Sequence, residues 1–330
     1  MLDVFRGDAF SLTSLTDAIQ KAPFKPGRLG QLGLFRSSGI VNTSVVVEEK
    51  DGRLELIQTS PRGGPATTIG QQKRTARSFL VPHLEKESTI KADEVQGVRV
   101  FGSEDASEAM QAIVNERLAD LRAMHEVTLE HLRIGAIKGL IYDADGSTVI
   151  YNLYTEFGVS QQTYAIALLN ASADIRNEAV AIQRLIETEL GAEPVSGFRA
   201  FCGAEFFDTL VAHTNVKASF ANQEGAVLRT DLRKGFEFGG ITWEEYRGRV
   251  SGVDFVETDE AHVVPEGTGL FKTYFAPADF IETVNTVGRP LYAKLVEDKE
   301  LQRSIKVHTQ SNPLAICLRP RAVVKLTLGS

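Results

Sequence analysis

Apolar residues recur along the chain at two periods, and the period changes from block to block. Between 104 and 138, Met110, Ile113, Val114, Leu118, Leu121, Met124 and Leu132 fall near helical spacing. Ser103 is a candidate N-cap, and Glu104, Asp105 and Glu108 suit the positive end of a helix dipole. Neither Pro nor Gly interrupts the run before Gly135. The pattern predicts a helix over about 104–135, roughly 45 Å long at the usual rise per residue, which is long for a globular enzyme. Two other stretches alternate instead. TSVVVEEKDGRLELIQTS (43–60) predicts a β-hairpin turning at Asp51-Gly52, a pair that tolerates the positive φ of a tight turn. GLIYDADGSTVIYNLYTEFG (139–158) predicts a second hairpin turning at Asp145-Gly146.

A helix over about 172–190 puts Ile175, Ala179, Ile182, Leu185 and Ile186 on one side and ends at Gly191. A short strand around Gly197–Cys202 and a helix over about 204–213 follow. Beyond them, short strands alternate with Gly and Pro turns, with one further helix at about 277–285. Residues 1–40, broken by APFKPGRLG, predict an arm or irregular lead-in, not a core element. There is no internal repeat. Strands and helices stand in separate blocks, so the fold class is α+β.

The stretch that fits neither period is SPRGGPATTIGQQKRTARSF (60–79). From Leu56 to Leu84 there is no Asp or Glu, while Arg62, Lys73, Arg74 and Arg77 are basic. Apolar residues are sparse from Ile57 to Phe79, so the segment cannot build a core of its own. A stretch this long without structure is generally functional or disordered. It is not a phosphate loop: five residues rather than four separate Gly64 and Gly70, and Gln71-Gln72 stand where Lys and Ser/Thr are required.

Charge and composition narrow the classes. With 43% hydrophobic and 24% charged residues, the chain has the composition of a soluble globular protein, and its 330 residues suggest about two domains. Its net charge of −7 disfavours a general nucleic-acid binder. The opening MLDVFRGDAF lacks the pattern of a signal peptide, and no apolar run approaches membrane-spanning length. These features predict a protein made in the cytoplasm with no membrane partner. Cys202 and Cys317 form no CxxC pair, which fits a reducing compartment.

Motifs for chemistry are absent. His125 and His131 do not have the one-turn spacing of a zinc helix, since Leu129 stands four residues after His125; with Glu126 and Glu130 they read as a charged, solvated or intersubunit face. DADG (143–146) lacks the first acidic ligand of a calcium loop and reads as a turn. Cys202, flanked by Phe201, Phe206 and Phe207, reads as a buried structural thiol, and Trp243 in ITWEEYRG as core. No catalytic, cofactor or metal residue is assigned.

PRGGP (61–65) followed by RTARSFLVPHLEKESTIKADEVQGVRVFGSE (74–104) resembles the signature of tailed-phage major capsid proteins of the lambda E family. GFRAFCGAEFFDTLVAHTNVK (197–217) and LYAKLVEDKELQRSIKVHTQSNPLAICLRPRAVVKLTLG (291–329) resemble its central and C-terminal segments. The likeness runs in order over essentially the whole chain.

The resemblance implies the Hong Kong 97-like phage capsid fold. In this chain that means an N-terminal arm (1–42), an extended loop hairpin (43–94) and a peripheral domain with a spine helix (95–160). An axial domain (161–290) and C-terminal strands completing the core (291–330) follow. The implied function is the major capsid protein of an icosahedral shell around the double-stranded DNA of a tailed phage or prophage. The implied partners are other copies of the chain in hexamers and pentamers; a portal, a scaffold or protease, and a decoration protein; and packaged DNA held without sequence-specific binding. The chain would be made in the host bacterial cytoplasm, reside in the virion and need no cofactor. Arg62, Gly63, Gly64, Lys73, Arg74 and Arg77 would be extended-loop contacts on a neighbouring subunit, the cations meeting an acidic surface and the Gly pair setting a bend. No long scaffolding extension precedes the arm, so any scaffold is expected to be a separate protein. The prototype fold can join a Lys to an Asn between subunits; Asn312 is present, but no catalytic carboxylate can be placed.

Other readings predict other behaviour. The shell of a gene-transfer particle or encapsulin-like compartment shares the fold and differs in cargo. An α+β enzyme built around Cys202 and His213 predicts a small oligomer with a deep pocket. A DNA-binding module using 61–80 predicts steeply salt-dependent binding.

Overall fold

In the computed structural model, the described residues are 11–21, 27–50, 74–95, 106–191, 193–221, 231–250, 252–298 and 303–329. The chain divides into two compact units, each discontinuous in sequence. The first comprises residues up to Val45, Leu80–Ile134 and Phe271–Ile316; the second comprises Val46–Phe79, Gly135–Leu270 and Cys317 onward. Helices and strands are mixed in both, as the α+β class requires.

The first unit is organised by the long helix, which runs Ala106–Lys138. Its starting residues 103–105, with the candidate cap, lie outside the described residues. Val114, Leu118, Leu121, His125 and Leu132 are buried at i, i+4, i+7, i+11 and i+18, one face of a helix. That face meets a three-stranded antiparallel sheet in the order Tyr292–Glu297, Ser304–Ser311, Leu84–Lys91. Ile90, Leu291, Ala293, Ile305 and Val307 complete the cluster. A smaller sheet places Phe271–Phe275 between Arg36–Gly39, which runs parallel to it, and Pro313–Cys317.

The lead-in is corrected by the structure. Leu12–Lys21 is a helix, and its Leu15 and Ile19 belong to the same buried cluster. A short helix, Arg28–Leu32, is tied to the long one: the Leu29 N–H donates to Glu130 Oε1 at 2.7 Å. Gly27 is required by this contact, since a Cβ there would collide with the Glu130 carboxyl.

In the second unit a six-stranded sheet has the order Gln162–Ile166, Val324–Leu328, Glu260–Glu266, Gly197–Cys202, Ile241–Glu245, Phe236–Phe238. The first pair and the Gly197–Ile241 pair are parallel; the others are antiparallel. Helix Ile175–Leu190 buries Ile175, Ala179, Ile182, Ile186 and Leu190. Helix Ala204–Ala212 buries Phe206, which stacks on Trp243 at 6.3 Å. Trp243 is fully buried, with its indole N–H donated to the Phe238 carbonyl. Arg199 bridges Glu244 (3.0 Å) and Glu266 (2.5 Å), pairing the buried Glu244 carboxylate. The long helix ends at Gly139, whose φ of +76° closes it in the left-handed region. The last carbonyl, of Lys138, accepts from Tyr154 Oη and Gln161 Nε2.

Two further expectations change, and a third falls partly outside the described residues. Strand Ser44–Lys50 pairs with Arg74–Leu80; the turn expected at Asp51-Gly52 lies outside the described residues. The second hairpin is shorter than its alternation suggested. Leu140–Tyr142 pairs with Val149–Asn152, and Leu153–Phe157 is a helix whose Asn152 side chain caps the N–H groups of Tyr154 and Thr155. The helix expected at 277–285 reduces to one 3₁₀ turn, Ile281–Thr283. Its β-branched residues disfavour the α-helix, and the Thr283 hydroxyl bonds the Ala278 carbonyl in competition with helical pairing. A helix over Thr214–Ala221 was not foreseen.

Truncating Glu130 leaves the buried Leu29 N–H without its acceptor. Glu130→Ala is expected to lower unfolding free energy by about 1–3 kcal/mol, measured by denaturant melts. An unchanged midpoint would show that the carboxylate does not hold Arg28–Leu32 in place.

Candidate assembly interface

The extended loop is the candidate site, and its base is well defined. Successive strand residues point to opposite faces, so Arg77 and Phe79 share one. Phe79 is 1% exposed, with its ring against Tyr151 (5.5 Å) and Phe157 (5.8 Å). The Arg77 guanidinium lies over the Phe157 ring at 5.1 Å and donates to the Phe157 carbonyl at 3.1 Å. Arg77 therefore anchors the returning strand on its own chain. Arg74 lies on that strand. Arg62, Gly63, Gly64 and Lys73 lie outside the described residues.

The histidines and carboxylates of the long helix are not a solvated face, which corrects the sequence reading. His125 is buried, its Nε2 3.0 Å from Thr309 Oγ1. That hydroxyl donates to the Lys86 carbonyl, so it accepts from His125 and the imidazole carries its proton on Nε2. Burial, with His308 nearby, holds the His125 pKa down to about 4. Glu126 pairs with Arg122 at 2.6 Å, and Glu130 caps the helix at Leu29.

A buried polar row lies along the neighbouring strand. Asn312 Nδ2 donates to the Pro277 carbonyl at 2.6 Å, the Asp279 N–H donates to Gln310 Oε1, and Ser311 Oγ donates to the Pro290 carbonyl. Asn312 is 6% exposed with its amide engaged, so it offers no accessible amide for an isopeptide bond.

Cys202 and His213 are not brought together for chemistry. Burial raises the Cys202 thiol far above its ordinary value, and Cys317 is pushed up to about 12 by the same cause. His213 accepts from the Asn215 N–H at Nδ1 and donates from Nε2 to the Asn170 carbonyl, so both ring nitrogens are engaged, one in its own turn and one on the loop at 167–175. The Asp143–Thr148 turn is closed by Asp145, which accepts from Ser147 N, Thr148 N and Thr148 Oγ1. Those bonds hold its carboxyl well below the usual range.

A family model described as Phage major capsid protein E matches residues 11–328. The chain belongs to that family. The capsid family assignment is matched by individual relatives. The major capsid protein of Pseudomonas phage KPP10 is 28% identical, with 96% of each chain covered. That of Salmonella phage Felix O1 is 26% identical, covering 96% of this chain and 95% of the relative. The capsid structure of Cyanophage P-SCSP1u superposes with a TM-score of 0.53 at 12% identity, over 94% of this chain and 90% of that one. The fold is the Hong Kong 97-like capsid fold. As a phage major capsid protein, the chain is a structural component of the virion.

Two buried histidines predict that this capsid protein loses stability in acid. His125 and, in the second unit, His262 are both held below the ordinary 6.5, His262 down to about 3 by burial near Lys138 and Lys325. Each shift is downward, so the unfolded chain binds protons that the folded one does not. Unfolding free energy is therefore full above about pH 6.5 and falls as pH drops through that window toward the folded values. His125→Gln keeps an N–H donor and removes one titrating group. It should make the acid-side slope shallower by up to roughly 1.4 kcal/mol per pH unit, read from denaturant melts at stepped pH. An unchanged slope would rule His125 out as a source of the sensitivity.

Proposed function

We propose that the chain builds an icosahedral head shell from hexamers and pentamers of itself, and that the segment 61–74 docks on an acidic surface of a neighbouring copy. The observation that carries the docking is the charge distribution. A segment with Arg62, Lys73 and Arg74 and no carboxylate from Leu56 to Leu84 belongs to a chain of net charge −7. Any neighbouring copy is then an opposite-charge partner, and complementarity fixes register. Gly63 and Gly64 supply the bend.

In this reading the arm is 1–42, the extended loop 43–94, the peripheral domain 95–160, the axial domain 161–290 and the closing strands 291–330. The chain is made in the bacterial cytoplasm, assembles around a portal with a scaffold or protease, and accepts a decoration protein. It encloses double-stranded DNA without reading its sequence, and an acidic chain suits a lining that must release the genome.

The test separates the loop tip from its base. Arg62→Glu with Arg74→Glu is expected to leave a folded subunit that forms no shells by electron microscopy and light scattering. Arg77→Glu should lower the melting temperature instead, because Arg77 is bound to Phe157 in its own chain. Normal shells from the Arg62/Arg74 variant would refute the docking.

A further inference from the structure

Between the strands ending at Phe275 and beginning at Tyr292, the first unit holds apolar side chains out in water. Ile281 is 92% exposed, Val284 64% and Val287 61%. They fall at i, i+3 and i+6. The N–H groups of Thr283, Val284 and Thr286 donate to the carbonyls of Phe280, Ile281 and Thr283, three residues back in each case. A 3₁₀ turn over Ile281–Thr283 and a second turn closed from Thr286 to Thr283 carry the three exposed side chains on one seven-residue projection, a short apolar ridge.

The ridge is rigidly held. Thr283 is buried and its hydroxyl donates to the Ala278 carbonyl at 2.6 Å; Thr286 Oγ1 donates to the Thr283 carbonyl at 2.7 Å. Asn285 takes a φ of 60°, the left-handed region that a side chain rarely adopts. The Gly288 N–H donates to the Ile40 carbonyl, and strand Arg36–Gly39 passes so close that a Cβ on Gly39 would collide with the Gly288 carbonyl. The apolar groups cannot fold inward. A fixed, contiguous apolar projection of this kind marks an interaction site, and its rigidity lowers the ordering cost of binding.

Beside the ridge lies a groove of about 390 Å³, whose lining includes Leu12, Thr13, Thr16, Val287, Arg289 and Tyr292. Its rim carries both signs of charge: Arg289 pairs with Asp17 at 2.9 Å and Lys294 with Glu282 at 2.6 Å. Copies of a chain of net charge −7 repel each other over most of their surface. This patch is neutral, and a second copy can exchange partners across it, Glu282 of one meeting Arg289 of the other. The charge pattern therefore fits a copy of the same chain better than a strongly acidic or basic partner.

We propose that this patch is a contact between copies, the Ile281 and Val284 side chains of one seated in the groove of the next. The proposal rests on the shell reading above. Val287 stands where ridge and groove meet, while Ile281 and Val284 lie outside the groove lining, so the inserting surface differs from the receiving one; in a ring of copies such a contact runs head to tail.

The test compares full-length wild type with Ile281→Asp/Val284→Asp and with Ile281→Leu, by light scattering, electron microscopy and thermal melting. Burying unpaired carboxylates at the contact should cut the assembled fraction of the double Asp variant at least about tenfold, with the melting temperature unchanged and Ile281→Leu behaving as wild type. A wild type that never assembles overturns the shell reading, and the proposal with it. Normal shells from the double Asp variant beside normal wild-type shells overturn the ridge contact alone; so do normal shells that have lost only a second protein. Orientation is read by mixing two single variants, Ile281→Cys and Thr13→Cys. Cys202 and Cys317 are buried and stay silent. Mild oxidation of mixed shells should give a mixed disulfide dimer, and its absence overturns the ridge-in-groove geometry.

Discussion

The long helix buries Val114, Leu118 and Leu121 against Leu15 and Ile19 from one end of the chain and Leu291, Ala293, Ile305 and Val307 from the other. These stretches lie roughly a hundred residues apart or more, so each contact closes a long loop before it stabilises anything. The rest of the first unit depends on that meeting. The strand Tyr292–Glu297 is the outer strand of its sheet, with one side open to further pairing. Helix Leu12–Lys21 covers that side. Thr16 Oγ1 accepts from the Ala293 N–H and donates to its carbonyl, and Gln20 Nε2 donates to the Leu291 carbonyl. A helix thus satisfies backbone groups that would otherwise recruit a stray strand. In a protein that must meet its own copies only in defined ways, that protection matters more than the area it buries.

A second constraint lies along the same sheet. Strand Ser304–Ser311 and the residue after it bring Thr309, Gln310, Ser311 and Asn312 into the interior, and each finds a partner in a remote loop or strand. An apolar row could slide by two residues at modest cost. A polar row cannot, because each displaced group would be buried without its partner. His125 joins this row from the helix through Thr309. The network sets the register of helix on sheet, and its neutral imidazole ties that register to pH.

How much of this could be read in advance depends on where the partner sits. The long helix, the helix at Ile175–Leu190, the strand at Gly197–Cys202 and the burial of Trp243 are legible because local period and composition determine them. Helix Leu12–Lys21 is not, because its apolar positions are few, Pro23 and Pro26 follow closely, and its partner is some 280 residues away. His125 and Glu130 look solvated on any helical projection; nothing nearby announces Thr309 or the Leu29 N–H. Ile281, Val284 and Val287 have a three-residue spacing that suits either helix type, and only the Thr283 hydroxyl decides between them. Arg77 could have been separated from Arg74, since strand alternation puts it on the face of Phe79 and draws it inward.

The two proposed contacts differ in physical kind. Docking of the basic segment is electrostatic, long-ranged and weakened by salt. Seating of the apolar ridge is short-ranged, and salts that exclude themselves from protein surfaces strengthen it. The first can draw copies together before they are aligned, but it tolerates many orientations. The second acts only once the ridge meets its groove, and so it discriminates. Neither needs to be strong. Each subunit in a ring makes the contact twice, once with its ridge and once with its groove, so linkage raises the effective concentration for every later contact. A weak single contact lets misplaced subunits leave. A closed assembly persists because all of its contacts would have to open together.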